Sequence, residues 1–199
     1  MKRIALLVVL ALALPLAAFA NSQTDFVDIG QGTLSGLGST TGLSVTGTIT
    51  DMLGYQGGGL VQGSLGTLSI STGGLLSTKG NIEMFSGGTL TISGSGGALA
   101  SGTLFTGTFS GPVELINLGK WGYDLSCETL NGCTVNGKWA NGQSASGGFN
   151  LLVSSKGGVE FGYVGLQTAT SVTPEPSTLG LLGTGLLGLG ALVRRKIKA

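Results

Sequence analysis

Apolar residues in this chain recur at every second position, in short runs bounded by glycine, and that pattern admits little besides β structure. In residues 66–72, GTLSIST, Leu68 and Ile70 alternate with hydroxyl side chains. Residues 88–93, GTLTIS, repeat the arrangement, residues 42–50 show it earlier and residues 102–110 later. A period of two puts successive side chains on opposite faces of a strand, and β-branched Thr, Val and Ile favour the extended backbone. Glycine clusters at 57–59, 73–74 and 94–97 read as turns between strands. Further strands are expected over 113–117, 121–126, 134–139, 149–154 and 159–164, and no convincing helix between 21 and 173. With 39 glycines in 199 residues, a disordered linker is the competing reading, and the ordered alternation argues against it. Many short strands with frequent turns predict an all-β domain over 21–172, a single antiparallel β-sandwich or barrel-like fold. A right-handed β-helix is the alternative, because the two GTL segments echo at 22 residues, although no constant period continues the echo.

The two ends of the chain are of a different kind. Lys2 and Arg3 precede an apolar run from Ile4 to Leu16, and Ala18-Phe19-Ala20 supplies small residues where a signal peptidase reads. Residues 1–20 are therefore expected to be a signal peptide, cleaved after Ala20 to leave Asn21 first, with the Sec translocon and signal peptidase as partners. At the other end, residues 178–193 carry no charge and are followed at once by Arg194, Arg195, Lys196 and Lys198. At ~1.5 Å per residue a helix of that length reaches roughly 24 Å, a short membrane span that snorkelling arginines and local thinning can accommodate. The basic cluster should stay cytoplasmic and leave the rest outside. Residues 183–188, GTGLLG, match a dinucleotide-binding fingerprint, but the strand, helix and acid that fingerprint requires have no room here. No cofactor is expected.

Pro174-Glu175-Pro176, then the apolar stretch, then Arg194-Arg195-Lys196 closely resembles the PEP-CTERM sorting signal of bacterial exported proteins, over residues 173–199. The resemblance implies that an exosortase, a membrane-embedded cysteine protease-transpeptidase, recognises Pro174, Glu175 and Pro176. The segment would hold the protein in the inner membrane until the tail is removed, sending the product to the cell surface or outside. It also implies an association with exopolysaccharide and biofilm matrix. Some ice-binding proteins carry the same tail, which is itself only a sorting device.

Between the terminal segments the chain keeps four lysines, no arginine and eight acids, a net charge of about −4. With no basic patch, nucleic acid is disfavoured as a partner. The chain has no histidine, which removes the usual Ser-His and Cys-His nucleophile systems and the commonest metal ligand. The acids are scattered without a motif, so a glycan-active enzyme is the least favoured class, and no catalytic or metal residue is assigned. Asp25 and Asp28 near Gly30 read as a solvated strand end before they read as calcium ligands.

Residues 119–140, GKWGYDLSCETLNGCTVNGKWA, carry a more specific expectation. Trp121 and Trp139 lie symmetrically about Cys127 and Cys133. One antiparallel register would pair Trp with Trp and Cys with Cys on a shared face, with Leu125 opposite Val135. Residues 128–132 would form the turn around Asn131-Gly132. In an exported protein the two cysteines should bridge. Trp121, Tyr123 and Trp139 are the candidate ligand contacts, able to stack on sugar rings, and the plainer reading is that the tryptophans are core. Thr46, Thr48 and Thr50, echoed by Thr89 and Thr91, form hydroxyl rows of the kind found on ice-binding solenoids; exposed strand threonines are also ordinary. The sequence therefore predicts an exported structural or adhesive protein, with a carbohydrate-binding module, an ice binder and an enzyme as successively weaker alternatives.

Overall fold

The first strand, β1 (Ser22–Ser35), is hydrogen-bonded to the last, β12 (Gly158–Ala169), with Ser22 opposite Ala169 and Thr33 opposite Gly158. That ladder closes the molecule. The structure, a computed structural model, describes residues 22–169. The expected signal segment with Ala18, Ala20 and Asn21, the Pro-Glu-Pro motif, the span over 178–193 and the basic tail lie outside those residues. Among the described residues no helix is long and apolar enough to cross a membrane. Among these residues helical turns are confined to short 3-10 segments at Tyr55–Gly57, Gly119–Trp121 and Thr129–Asn131.

Between β1 and β12 lie β2 (Ser44–Leu53), β3 (Val61–Thr72), β4 (Leu75–Lys79), β5 (Ile82–Phe85), β6 (Gly88–Ser95), β7 (Ser101–Phe109), β8 (Val113–Asn117), β9 (Tyr123–Cys127), β10 (Val135–Trp139) and β11 (Ser144–Val153). Every ladder is antiparallel, and β10, β7, β6, β3, β2, β1, β12 and β11 form a closed eight-stranded barrel. Two long hairpins are each interrupted midway. The first runs from β3 into β4 and back through β5 into β6. The second runs from β7 into β8 and back through β9 into β10. Counted this way the wall is a simple up-and-down meander, which is one way a sheet removes its edges. Beyond the ring, β4, β5, β8 and β9 continue as a four-stranded extension joined to β11 through β9.

Closure excludes the β-helix, whose coils would stack in parallel. The GTL echo has a different cause: the two segments are neighbouring strands, with Leu68 opposite Ile92 and Ile70 opposite Leu90. Strands β1, β4 and β5 were not expected from the sequence. In β1 an acid, Asp25, takes an inward position and breaks the apolar alternation.

An eight-stranded barrel is just wide enough for side chains to fill it. Val27, Val45, Ile49, Leu68, Ile70, Leu90, Ile92, Phe105, Val135, Phe149, Leu151, Val164 and Leu166 are buried in one cluster. Room for the larger rings comes from glycine. Gly107 and Gly137 face each other across the β7–β10 ladder, and a Cβ on either would sit 2.8 or 2.5 Å from the Phe105 ring. At one end Trp139 lies between Tyr55 and Phe105, at 5.1 Å from each ring centroid.

Candidate functional site

The expected hairpin between Trp121 and Trp139 does not form. β9 pairs with β8 and with residues 149–153 of β11, whereas β10 pairs with β7 and with residues 144–147 of β11. The two strands therefore follow one another along the same edge of β11, and Leu125 never faces Val135. The arithmetic of constant sums assumed that nearby strands in sequence fold back on each other. Here the chain leaves the wall after Cys127, makes one 3-10 turn and rejoins the same line at Val135. Cys127 and Cys133 are nevertheless bridged, with Cα atoms 5.0 Å apart, so the disulfide closes the neck of an excursion instead of tying a hairpin. Gly132, at φ 74°, supplies the left-handed residue that ends the turn, as the Asn131-Gly132 pair suggested.

The aromatic trio is dispersed by this geometry. Trp139 is 3 % exposed, and its indole Nε1–H donates to Thr168 Oγ1 at 3.1 Å. Trp121 sits in the turn before β9, 73 % exposed, with Lys120 Nζ 4.9 Å from its ring centroid. Tyr123 opens β9, half-buried against the core. Trp139 is thus core, as the plainer reading held, Trp121 is surface, and the three make no common platform.

The acids divide in the same way. Asp25 points into the barrel end, 2 % exposed, and accepts a hydrogen bond from Thr168 Oγ1 at 2.9 Å. Burial raises its carboxyl above the ordinary aspartate range, against the opposing hydrogen bonds of Thr168 and Trp139. Asp28 lies three residues on and faces outward, so the two carboxylates do not converge on one cation. Among the described residues no group of three or more His, Cys, Asp or Glu converges as a metal site.

The threonine rows exist. Across the β2, β3, β6 and β7 ladders, Thr46 stands opposite Ser69, Ser69 opposite Thr91, and Thr91 opposite Thr106. They follow the curve of a barrel wall, where a solenoid would stack them in a plane.

A concave site lies elsewhere, on the outer wall where β11, β12 and β1 pass beneath the disulfide-closed loop. It is an open groove of about 470 Å³. Its floor is made by missing side chains: Gly148 pairs with Gly165, and Gly165 with Phe26, along one outward row. The Phe26 ring lies over Gly165, whose Cβ position is 3.6 Å from the ring edge. Ser146, Gln167 and Thr24 form the adjoining row on one side. Asn150, Tyr163 and Asp28 form the row on the other. Glu128, Thr129, Leu130 and Thr134 of the loop make the facing wall.

Tyr163 is anchored by its hydroxyl, which donates to Glu128 Oε1 at 3.3 Å. Burial, and then the charge and hydrogen bond of Glu128, push its phenol above the usual tyrosine range. Beside it Asp124 accepts a hydrogen bond from Asn150 Nδ2 at 2.9 Å. Burial raises the Asp124 carboxyl, the bond from Asn150 opposes that, and the Glu128 charge adds to it. Phe26 and Tyr163 are each 44 % exposed, and nothing in the sequence alone singled them out. Their parity was the available signal: each sits one residue from a core valine, Val27 or Val164, and so must face outward.

Residues 172–196 match the family model of the PEP-CTERM protein-sorting motif. The chain carries a PEP-CTERM sorting motif. No curated protein and no solved structure matches the chain. The PEP-CTERM motif supports an exosortase-sorted exported protein, membrane-anchored and then exported, and implies processing by an exosortase. The barrel with its outer groove is what the PEP-CTERM signal delivers.

Proposed function

We propose that the exported barrel is a structural or adhesive component of the cell surface or extracellular matrix, one that binds and does not catalyse. The PEP-CTERM motif at residues 172–196 carries this reading, through the association of such signals with cells that make exopolysaccharide. The site chemistry supports it. The chain has no histidine, and the groove lining itself carries a single carboxylate, Glu128, with Asp28 in the neighbouring row, whereas glycoside hydrolysis calls for two carboxyl groups flanking the bond. The barrel interior is packed with side chains, so among the described residues a ligand would meet the outer surface.

The test is the intact mass and location of the native protein in cells with and without their exosortase. The expected product begins at Asn21, ends between Pro174 and Pro176, fractionates with the matrix, and is lost without the exosortase. A chain still ending at Ala199 in the inner membrane of wild-type cells would overturn the reading.

A further inference from the structure

We infer that the groove between the disulfide-closed loop and the β11–β12–β1 wall is a binding site for a neutral, β-linked polysaccharide chain. The inference rests on the binding role proposed above and adds to it the ligand class and the residues.

The shape comes first. Paired glycines, Gly148 and Gly165, make a strip of the outer wall without side chains of its own, closed at Gly148 by the Cys127 carbonyl and overlain at Gly165 by the Phe26 ring. Aromatic faces border the strip at Phe26 and Tyr163, both partly exposed. Sugars with equatorial linkages present flat C–H faces above and below the ring, with hydroxyls around the rim. Rings beside a flat floor meet the faces, and polar side chains along the edges meet the rim. Gln167, Ser146 and Thr134 supply that edge as uncharged donors and acceptors. A volume of about 470 Å³ lies within the ~300–1,000 Å³ common for ligand sites.

Charge selects the ligand. No lysine or arginine lines the groove. Glu128 lies within it, and Asp124 and Asp28 lie alongside Tyr163. A polyanionic chain would be repelled, whereas neutral hydroxyls can donate to Glu128 without opposing its charge. The Cys127–Cys133 bridge holds the loop wall in place, so less ordering is required when a ligand enters.

The experiment is calorimetric titration of the exported protein with neutral β-linked hexaoses of glucose, mannose, xylose and N-acetylglucosamine, and with oligomeric alginate as the polyanion. At least one neutral hexaose should bind, and alginate should not. Phe26→Ala and Tyr163→Ala should each weaken that binding at least tenfold. Tyr163→Phe, which keeps the ring, should stay within a few-fold of wild type. Gly165→Leu puts a side chain where the Phe26 ring now lies, displaces that ring from the floor and should abolish binding, with β-sheet circular dichroism and cooperative unfolding retained. Binding undiminished in folded Gly165→Leu would put the site elsewhere and overturn the inference. So would tighter binding of alginate, or no binding of any neutral hexaose by the wild type. None of these results touches sorting and export, which the mass measurement decides on its own.

Discussion

Asp25 is a charged residue in a buried place, 2 % exposed. A carboxylate inside a barrel loses hydration, and the hydrogen bond from Thr168, itself bonded by Trp139, returns only part of it. Its pKa is therefore raised above 3.8, with desolvation the largest cause. A raised folded-state value means that the folded protein binds a proton which the unfolded chain releases. The stability from that proton is complete below about pH 3.8 and is lost as the pH rises through the folded-state value. Asp124 has the same sign, from the same leading cause. Asp25→Asn keeps an oxygen to accept from Thr168 and removes the titration. Urea unfolding measured from pH 3.5 upward should therefore show a shallower fall in stability across this window for Asp25→Asn than for the wild type. Equal slopes would mean that Asp25 titrates normally. The same residue explains why β1 was hard to read: a polar residue at an inward position looks, in sequence, like the end of a strand.

At the scale of elements, the disulfide shows which parts of the wall are imposed and which are intrinsic. Cys127 and Cys133 close a loop of a few residues, for which the chain-entropy model gives about 2 kcal/mol. The strands on either side are secured independently, β9 by β8 and β11, and β10 by β7 and β11. Replacing both cysteines with alanine should lower the unfolding free energy by about 2 kcal/mol and leave β-sheet circular dichroism intact. Loss of the fold would mean that the bridge holds the barrel itself. Strand identity was legible in the sequence because half-buried strands impose alternation at Leu68, Ile70, Leu90 and Ile92. Pairing was not, because alternation fixes a face and leaves the partner open. The symmetry of Trp121 and Trp139 about the cysteines was coincidental, since β11 offers an edge long enough to seat β9 and β10 end to end. The groove was illegible for the same reason: Gly148, Gly165 and Phe26 lie far apart in the chain and meet only once β12 has paired on both sides.

At the scale of the molecule, the closing ladder determines what removal of the sorting tail can cost. β12 lies between β11 and β1 and contributes Val159, Val164 and Leu166 to the core. Its last registered pair is Ala169 with Ser22, and the sorting motif begins at residue 172. Cleavage near Pro174 to Pro176, as proposed, would fall beyond every described strand and would leave the β1–β12 ladder in place. A protein comprising residues 21–173 should unfold cooperatively in urea, with β-sheet circular dichroism. One comprising residues 21–157 should not, because it loses those apolar side chains and exposes the edges of β1 and β11 together. It also takes from Asp25 the Thr168 hydroxyl that bonds it. If 21–173 proved unfolded, the tail would be part of the fold, and an exosortase that removed it would destroy its own product. If 21–157 kept a cooperative transition, the β1–β12 ladder would not be what closes the wall.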